Sequence, residues 1–229
     1  MNVLKNDYGY SEEQISLIKS YDGTPIQDHP ELRGVFADCT ANFTCNSASK
    51  TSVTVTTTWE WNRAPVIHHK DIRDVIGTGW TAINLDDQEI KLEIDQNFGQ
   101  PCTIYYYTIK NEYVTYKVFD YEVENPLGQV NSKFNTGSLP SQINIPSDDY
   151  AKKGAFTVRL KTNGNGKIQA VFFCSVYGHR KITGDATISI APTFNGVKPS
   201  FAIKFGTQTE QMFKNLYKVT NSGKVTVYK

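Results

Sequence analysis

Hydrophobic and polar residues alternate along much of this chain, and the alternation is strictest between Thr51 and Trp61. A period of two with many β-branched residues predicts a half-buried antiparallel strand whose apolar side faces a core. Pro65 ends this strand or confines it to a sheet edge, because proline has no amide hydrogen to donate. The apolar side of the strand is formed by Val53, Val55, Thr57, Trp59 and Trp61.

Similar patterns recur along the rest of the chain. Residues 102–110 and 168–177 are apolar or aromatic on both faces, so these strands are predicted to lie inside a sheet. About ten strands at this spacing predict an all-β fold, an antiparallel β-sandwich of the immunoglobulin-like or jelly-roll type. The alternating stretches are 89–95, 113–123, 156–161, 186–190 and 201–205.

Three local patterns predict where strands turn or change sheet. The apolar phase switches by one residue near Val118, which predicts a β-bulge or a change of sheet. Asn163-Gly164-Asn165-Gly166 predicts a hairpin, because asparagine and glycine tolerate the positive φ that tight turns need. Asn221-Ser222-Gly223 predicts a second hairpin at the end of the chain.

One segment near the N-terminus has the features of a helix start. Ser11 is followed three residues later by Gln14, which forms a capping box and predicts a short helix ending near Tyr21. We therefore divide the chain into an N-terminal helix with its connector, residues 1–30, and a single β-sandwich domain, residues 31–229.

A second short segment is open to two interpretations. Ile72, Val75 and Ile76 have helical spacing, and Gly77 is suited to end a single helical turn. The residues just before them, Val66 to His69, could equally continue as strand.

Charge and length exclude some classes of protein. The 229 residues carry 24 basic and 23 acidic side chains, a net charge of +1, with the two signs interleaved. Nucleic-acid binding needs a concentrated basic face, so nucleic acid is excluded as a partner. No apolar run approaches the roughly 20 residues that a membrane-spanning helix needs.

The cysteines and the polar composition bear on the cellular compartment. Cys39, Cys45, Cys102 and Cys174 contain no C-x-x-C pair, which leaves disulfides or buried thiols. The abundance of Ser, Thr, Asn and Tyr favours an exported protein, with disulfides Cys39–Cys45 and Cys102–Cys174. Because Met1 leads straight into polar residues, the chain is either cytosolic or a mature secreted chain with an added methionine; we favour the secreted form.

Histidines are the first candidates for chemistry. His68 and His69 are adjacent, so on a strand they point to opposite faces and are poorly placed to bind one metal ion. His179 lies five residues after Cys174, which raises a Cys-His dyad as the enzymatic hypothesis. The alternative is that Tyr177 to His179 simply closes a strand and that Cys174 is an inert buried thiol.

Acidic pairs and aromatic residues are the remaining candidates. Asp86-Asp87 and Asp148-Asp149 lie in turn-like contexts, where they either bind calcium or remain solvated; no other cofactor is predicted. Exposed aromatic rings stack on sugars or dock protein partners. The candidate ligand-binding residues are Trp80, His68, His69, Tyr105 and Tyr107.

One combination of residues is typical of a protein family. The chain contains Trp59-Glu60-Trp61, Pro65, Asp71 to Asp74, Gly77, Trp80 and Tyr177-Gly178-His179. With these residues it resembles a group of uncharacterised secreted β-rich proteins of Gram-positive bacteria over about residues 30–205. This resemblance implies export with removal of a signal peptide and transfers no catalytic residue.

The sequence therefore favours a secreted, non-enzymatic β-sandwich that binds a surface, a glycan or a protein, or assembles with itself. The first alternative is a hydrolase or metal-dependent enzyme that uses His68, His69 or His179. The second is a pore-forming or antimicrobial protein, because the Ser/Thr-rich strand from Lys50 to Glu60 resembles a membrane-inserting β-strand.

Overall fold

The computed structural model of the chain describes residues 11–13, 15–16, 39–65, 72–97, 99, 101–138, 149–180, 184–196 and 199–228. Regular structure in these residues is almost entirely β-strand, which confirms the all-β prediction. The strands are β1 (Cys39–Ala48), β2 (Ser52–Trp61), β3 (Ile72–Asn84), β4 (Glu89–Ile90), β5 (Leu92–Ile94), β6 (Cys102–Thr108), β7 (Tyr113–Phe119), β8 (Glu122–Asn125), β9 (Gln129–Asn135), β10 (Asp149–Thr162), β11 (Ile168–Arg180), β12 (Gly184–Asp185), β13 (Ile188–Phe194), β14 (Pro199–Phe205), β15 (Thr209–Thr220) and β16 (Val225–Val227).

Most strands belong to two largely antiparallel sheets. Sheet A has the order β1-β2-β10-β6-β7, and β5 also pairs with β10. Sheet B has the order β16-β15-β11-β3-β9-β8, and β4 and β12 also pair with β3. Strands β13 and β14 form a separate two-stranded sheet C. The choice between an immunoglobulin-like and a jelly-roll sandwich stays a prediction.

The main core lies between sheets A and B. As the alternation predicts, Val53, Val55, Trp59 and Trp61 of β2 are buried there. They pack with side chains of β3, β9 and β11 from the opposite sheet. Burying apolar surface in this way supplies most of the favourable free energy of folding.

A second core lies between the other face of sheet B and sheet C. It contains apolar side chains of β3 and β11 together with Ile188, Ile190 and Phe201 of sheet C. Strand β11 is therefore covered on both faces, which explains why its sequence is apolar on both faces. The prediction that residues 168–177 form an interior strand is confirmed.

Side-chain amides hold sheet C on sheet B. Gln129 donates through Nε2 to the Ile188 carbonyl at 3.1 Å and accepts the Ile190 amide at 2.7 Å. Asn131 also donates to the Ile188 carbonyl, at 3.1 Å. Buried polar groups are stable only when they are paired, so these bonds specify where β13 lies.

Glycine makes room for this contact. A Cβ atom at Gly79 would lie 2.4 Å from Cγ2 of Ile190, and one at Gly77 would lie 2.4 Å from Oδ1 of Asn131. Both glycines are in β3, so the interpretation of residues 72–77 as a helical turn is wrong. The alternative, a strand continuing through residues 66–69, lies outside the described residues. The glycines allow close approach of a second layer and do not end a helix.

The predicted hairpin at residues 163–166 is also wrong. Strand β10 before it belongs to sheet A, and strand β11 after it belongs to sheet B. Gly164 has a φ of +88°, so the turn itself has the expected backbone. Each strand already has a partner on both sides, and the turn therefore links the two sheets.

Other turn predictions hold. The chain passes from sheet A to sheet B between β7 and β8, which confirms the change of sheet predicted near Val118. Strands β15 and β16 form the predicted C-terminal hairpin, with Gly223 at a φ of +84°. The predicted N-terminal helix is not among the described elements; Glu12, Glu13, Ile15 and Ser16 have helical backbone, and most of that segment lies outside the described residues.

Candidate functional site

Trp80 is a core residue and not a surface ligand. Its side chain is 1% exposed, points between sheets A and B, and donates from Nε1 to the Leu92 carbonyl at 3.1 Å. The ring is therefore not exposed on a surface where it could stack on a sugar. Gly77 and Gly79 lie on the opposite face of β3, so they do not expose the ring. His68 and His69 lie outside the described residues.

Tyr105 and Tyr107, in contrast, lie on a shared surface. In the β6–β7 pair, Tyr105 is opposite Tyr116 and Tyr107 is opposite Tyr113. Directly opposite residues point to the same face of a sheet. We call these four residues, Tyr105, Tyr107, Tyr113 and Tyr116, the tyrosine face.

The rings of the tyrosine face contact each other in two pairs. The Tyr105 and Tyr116 ring centroids are 6.1 Å apart with an interplanar angle of 38°. Those of Tyr107 and Tyr113 are 5.6 Å apart at 73°, an edge-to-face contact. Both separations fall within the favourable range for aromatic pairs, so the rings restrict each other's motion.

This surface concentrates exposed apolar area. Among the described residues, the exposed large hydrophobic side chains are Leu85, Tyr113, Val114, Tyr116, Val118, Leu127 and Val227. Four of the seven are in β7, and Tyr113 and Tyr116 are each 55% exposed. Strand β7 is last in the strand order of sheet A. A clustered exposed apolar patch marks an interaction site more often than scattered single residues do.

Two β-bulges shape the patch. Tyr106 and Tyr107 pair with Thr115 and Tyr113, so Val114 is an extra residue in β7. Lys152 is likewise extra between Ala151 and Lys153, which pair with consecutive residues of β6. Bulges redirect side chains locally and are frequent near functional sites.

Both lysines beside the second bulge contact the tyrosine face. The ammonium groups of Lys152 and Lys153 lie 5.2 and 5.3 Å from the Tyr107 ring centroid, and that of Lys153 lies 5.9 Å from the Tyr105 centroid. These are cation–π distances. Interaction with the Tyr107 hydroxyl raises the pKa of Lys153 above its usual value, so the group is a cation at neutral pH.

A depression with both polar and apolar lining residues adjoins the tyrosine face. It has a volume of about 540 Å³ and lies across β1, β2 and β10, with Tyr105 and Lys153 in its lining. Ala155 also lines it, and a small side chain there leaves the middle of the sheet face open. Polar atoms are supplied by Thr40, Asn42, Thr58 and Glu60.

A buried cluster of polar residues occupies one end of the main core. Asp74 accepts hydrogen bonds from the Tyr177 hydroxyl at 2.5 Å, from Nδ1–H of His179 at 3.0 Å and from the Arg180 amide at 2.9 Å. The His179 ring also packs edge-on against Trp61, with centroids 5.4 Å apart. Burial, followed by the Asp74 charge, raises the pKa of Tyr177 well above its ordinary value.

This geometry does not provide the predicted Cys-His dyad. His179 points into the main core with Asp74, whereas Cys174 lies in the second core beneath sheet C. Residues five apart on a strand point to opposite faces, which is the physical reason. Burial also raises the pKa of Cys174 to about 12, so its thiol stays protonated. The dyad form of the enzymatic hypothesis is therefore wrong.

The predicted disulfides are absent, since all four cysteines are described and all are free. Cys39 and Cys45 are in the same strand, and six residues of extended chain span about 20 Å. Cys102 is in the main core, whereas Cys174 is in the second core. Burial raises the pKa of Cys102 to about 12, which marks it as an inert thiol.

The described residues contain no group of three or more His, Cys, Asp or Glu side chains placed to hold a metal ion. The side chain of Asp149 accepts hydrogen bonds from Ser138, and Asp148 lies outside the described residues. In the turn at Asp86 and Asp87, Oδ1 of Asn84 accepts the Asp86 amide at 2.9 Å.

The strand considered for membrane insertion is internal to sheet A. Strand β2 pairs with β1 on one side and β10 on the other, and its apolar face is part of the main core. Among the described helical residues, no segment has the length and apolar character needed to cross a membrane.

Comparisons with known proteins yield only distant structural similarities. No family model and no curated protein matches the chain. Clostridium perfringens delta-toxin aligns with 84% of this chain and 92% of its own at 6% identity and a TM-score of 0.34. The macrocyclization enzyme AvmM of alchivemycin A biosynthesis covers 73% and 88% at 10% identity and 0.28. A collagen-binding domain from a Staphylococcus aureus adhesin covers 66% and 92% at 12% identity and 0.28. Scores this low carry no argument about function.

Proposed function

We propose that this protein is a non-enzymatic β-sandwich that binds a glycan on the tyrosine face and the adjoining depression. The observation that carries the proposal is the grouping of Tyr105, Tyr107, Tyr113 and Tyr116 on one face of the β6–β7 pair, with two of the rings 55% exposed.

The chemistry of the surface suits a sugar. The C–H bonds on one face of a sugar ring carry partial positive charge, and the face of an aromatic ring is negative, so the two pack together. The hydroxyls of the sugar need donors and acceptors close by. Thr40, Asn42, Thr58 and Glu60 supply such groups in the depression beside Tyr105.

The carboxylates of the site favour binding over hydrolysis. Glycoside hydrolysis ordinarily uses two carboxyl groups about 5–10 Å apart. Glu60 is the one carboxylate lining the depression among the described residues, and it lies 3.3 Å from the Lys152 ammonium group. A single neutralised carboxylate supports a role in holding a ligand.

An extracellular location is part of the proposal. It rests on the Ser-, Thr-, Asn- and Tyr-rich composition and on the resemblance to secreted proteins of Gram-positive bacteria. The cysteines are free, so the disulfides expected of an exported chain do not contribute to this part of the proposal.

Affinity electrophoresis through gels containing xylan, hydroxyethylcellulose, laminarin or polygalacturonate tests the proposal. We expect at least one polysaccharide to retard the wild-type protein and the double variant Tyr113→Ala/Tyr116→Ala to migrate without retardation. The matched control is Val227→Ala, which removes another exposed apolar side chain, from β16 in sheet B. Light scattering on the same samples detects self-association.

The proposal fails if no polysaccharide retards the protein. It also fails if the tyrosine variant and the wild type are retarded equally. A concentration-dependent oligomer that the tyrosine variant abolishes, without any retardation, would reassign the tyrosine face to contacts between copies of the chain.

A further inference from the structure

Lys152 and Lys153 are adjacent, but their charges are in different electrostatic situations. The Lys152 ammonium group lies 3.3 Å from a Glu60 carboxylate oxygen and also contacts Oδ1 of Asn111. Its charge is balanced within the protein. Lys153 contacts the rings of Tyr105 and Tyr107, and no carboxylate of the described residues forms an ion pair with it.

The other basic residues on this face of β10 do not supply a second unpaired positive charge near Lys153. Arg159 is 3.5 Å from a carboxylate oxygen of Asp95 and is therefore paired. Lys161 is eight residues beyond Lys153, a distance of about 26 Å along an extended strand. Glu60 is opposite Lys153 in the β2–β10 pair, and its charge contributes to the raised pKa of Lys153, but its ion pair is with Lys152. Among the described residues, Lys153 is thus the one cation that lines the depression, and it has no carboxylate as an ion-pair partner.

Lys153 is also held in position. Its ammonium group lies 5.3 and 5.9 Å from two ring centroids, and such contacts orient an otherwise flexible side chain. Because Lys153 and Tyr105 both line the depression, the cation lies where the tyrosine face meets the depression. A sugar packed on Tyr105 would therefore present its ring substituents close to this ammonium group.

We propose that the glycan bound here is acidic, with a carboxylate or sulfate group of the sugar paired to Lys153. This inference rests on the proposed function and assigns its ligand class. An anionic substituent would form a charge-assisted hydrogen bond with the lysine, which is stronger than a bond between neutral groups. A neutral sugar would retain only the aromatic packing and the neutral hydrogen bonds.

Calorimetric titration with charge-matched ligand pairs tests the inference. The first pair is hexagalacturonate and its neutral methyl ester, and the second is dextran sulfate and dextran. We expect one acidic ligand to bind the wild-type protein about ten-fold more tightly than its neutral counterpart. Lys153→Gln is expected to abolish this preference, so that the acidic and neutral members of the pair bind the variant with equal affinity. Lys161→Gln, an exposed lysine on the same strand, is the control and should retain the preference.

The outcomes separate the two proposals. Equal affinity for the acidic and neutral members of both pairs, with binding abolished by Tyr113→Ala/Tyr116→Ala, overturns the acidic ligand and leaves glycan binding in place. If Lys161→Gln and Lys153→Gln lose the preference for the acidic ligand to the same extent, the attraction is a general effect of positive charge. That result also overturns the inference. The absence of binding to any of the four ligands and to the neutral polysaccharides above contradicts the proposed function itself.

Discussion

Tyr113 and Tyr116 are three residues apart in β7, yet both rings lie on the same face of sheet A. In a regular strand, residues an odd number apart point to opposite faces. Val114 is an extra residue in the strand, and this bulge reverses the alternation between the two tyrosines. The grouping on which the proposed function rests therefore depends on a local irregularity of the edge strand.

Replacement of Asp74 by asparagine should destabilise the protein strongly. The carboxylate accepts hydrogen bonds from Tyr177, His179 and Arg180 in the core, and an amide cannot accept all of them. We expect a loss of about 3 kcal/mol in the free energy of unfolding, measured by urea denaturation. Asp86→Asn in an exposed turn is the control, with an expected change below about 0.5 kcal/mol. A loss for Asp74→Asn as small as that of the control would contradict the buried network.

Gly79→Ala should weaken the contact between sheets B and C. The new Cβ atom would lie 2.4 Å from Cγ2 of Ile190, so the two layers must separate or the side chain must move. The expected loss of stability is about 1–3 kcal/mol. Gly99→Ala, where a Cβ atom would meet nothing within 4 Å, is the matched control. In the double variant Gly79→Ala/Ile190→Ala the two costs should be less than additive, and strict additivity would refute the contact.

Gln129→Ala should loosen β13 without unfolding sheets A and B. The substitution removes the acceptor of the Ile190 amide and one donor to the Ile188 carbonyl, at a cost of about 1–3 kcal/mol. The substitution should accelerate hydrogen exchange, measured by NMR, at the Ile190 amide. At the Phe173 amide of β11, which lies at the centre of sheet B, the acceleration should be much smaller. Uniform acceleration at both amides would indicate global destabilisation and would count against a specific attachment.

Stability should fall at alkaline pH because of the buried thiols. Burial raises the pKa of Cys102 and Cys174 to about 12, whereas a thiol in the unfolded chain ionises near pH 8.5. The stabilisation is complete below the unfolded value and is lost as the pH rises toward the folded value, because the unfolded chain releases these protons first. Between pH 8 and pH 10 we expect a decrease of about 1–2 kcal/mol per thiol.

The variant Cys174→Ala isolates one of these contributions. Its total stability is expected to be lower because the side chain is buried in the second core, but its decrease between pH 8 and pH 10 should be smaller by about 1–2 kcal/mol. Urea denaturation at the two pH values measures both quantities. An identical pH dependence in the variant and the wild type would show that the thiol does not ionise as described.

The alternation of apolar and polar residues correctly predicted those features of the fold that depend only on which side chains of a strand are buried. The inward face of β2, the two-sided burial of β11 and the change of sheet after Val118 all follow from where apolar side chains can be buried. The turn at 163–166 was assigned wrongly because its residues specify a tight turn but not the partners of the strands. Whether β10 and β11 pair with each other depends on the distant strands β2, β6, β3 and β15.

The sequence identified two of the four residues of the tyrosine face. Tyr105 and Tyr107 stand out in an aromatic run, but Tyr113 and Tyr116 do not, because period-two reasoning puts them on opposite faces. Lys152 and Lys153 escape the same reasoning, since a bulge also lets these neighbours contact one ring. Trp80 was included as an aromatic residue that could be exposed, but its ring lies in the main core and the neighbouring Gly79 faces sheet C. The available signal for the missed tyrosines was that both lie in the strand that directly follows the aromatic run.

Calorimetric titration of the tyrosine variant is the most direct test of the central claim. The ligand is whichever of xylohexaose, cellohexaose and hexagalacturonate binds the wild-type protein most tightly. The glycan-binding account predicts that Tyr113→Ala/Tyr116→Ala raises the Kd at least about thirty-fold, since two aromatic contacts are lost, while Val227→Ala leaves it unchanged. An unchanged Kd in the folded tyrosine variant would contradict the account.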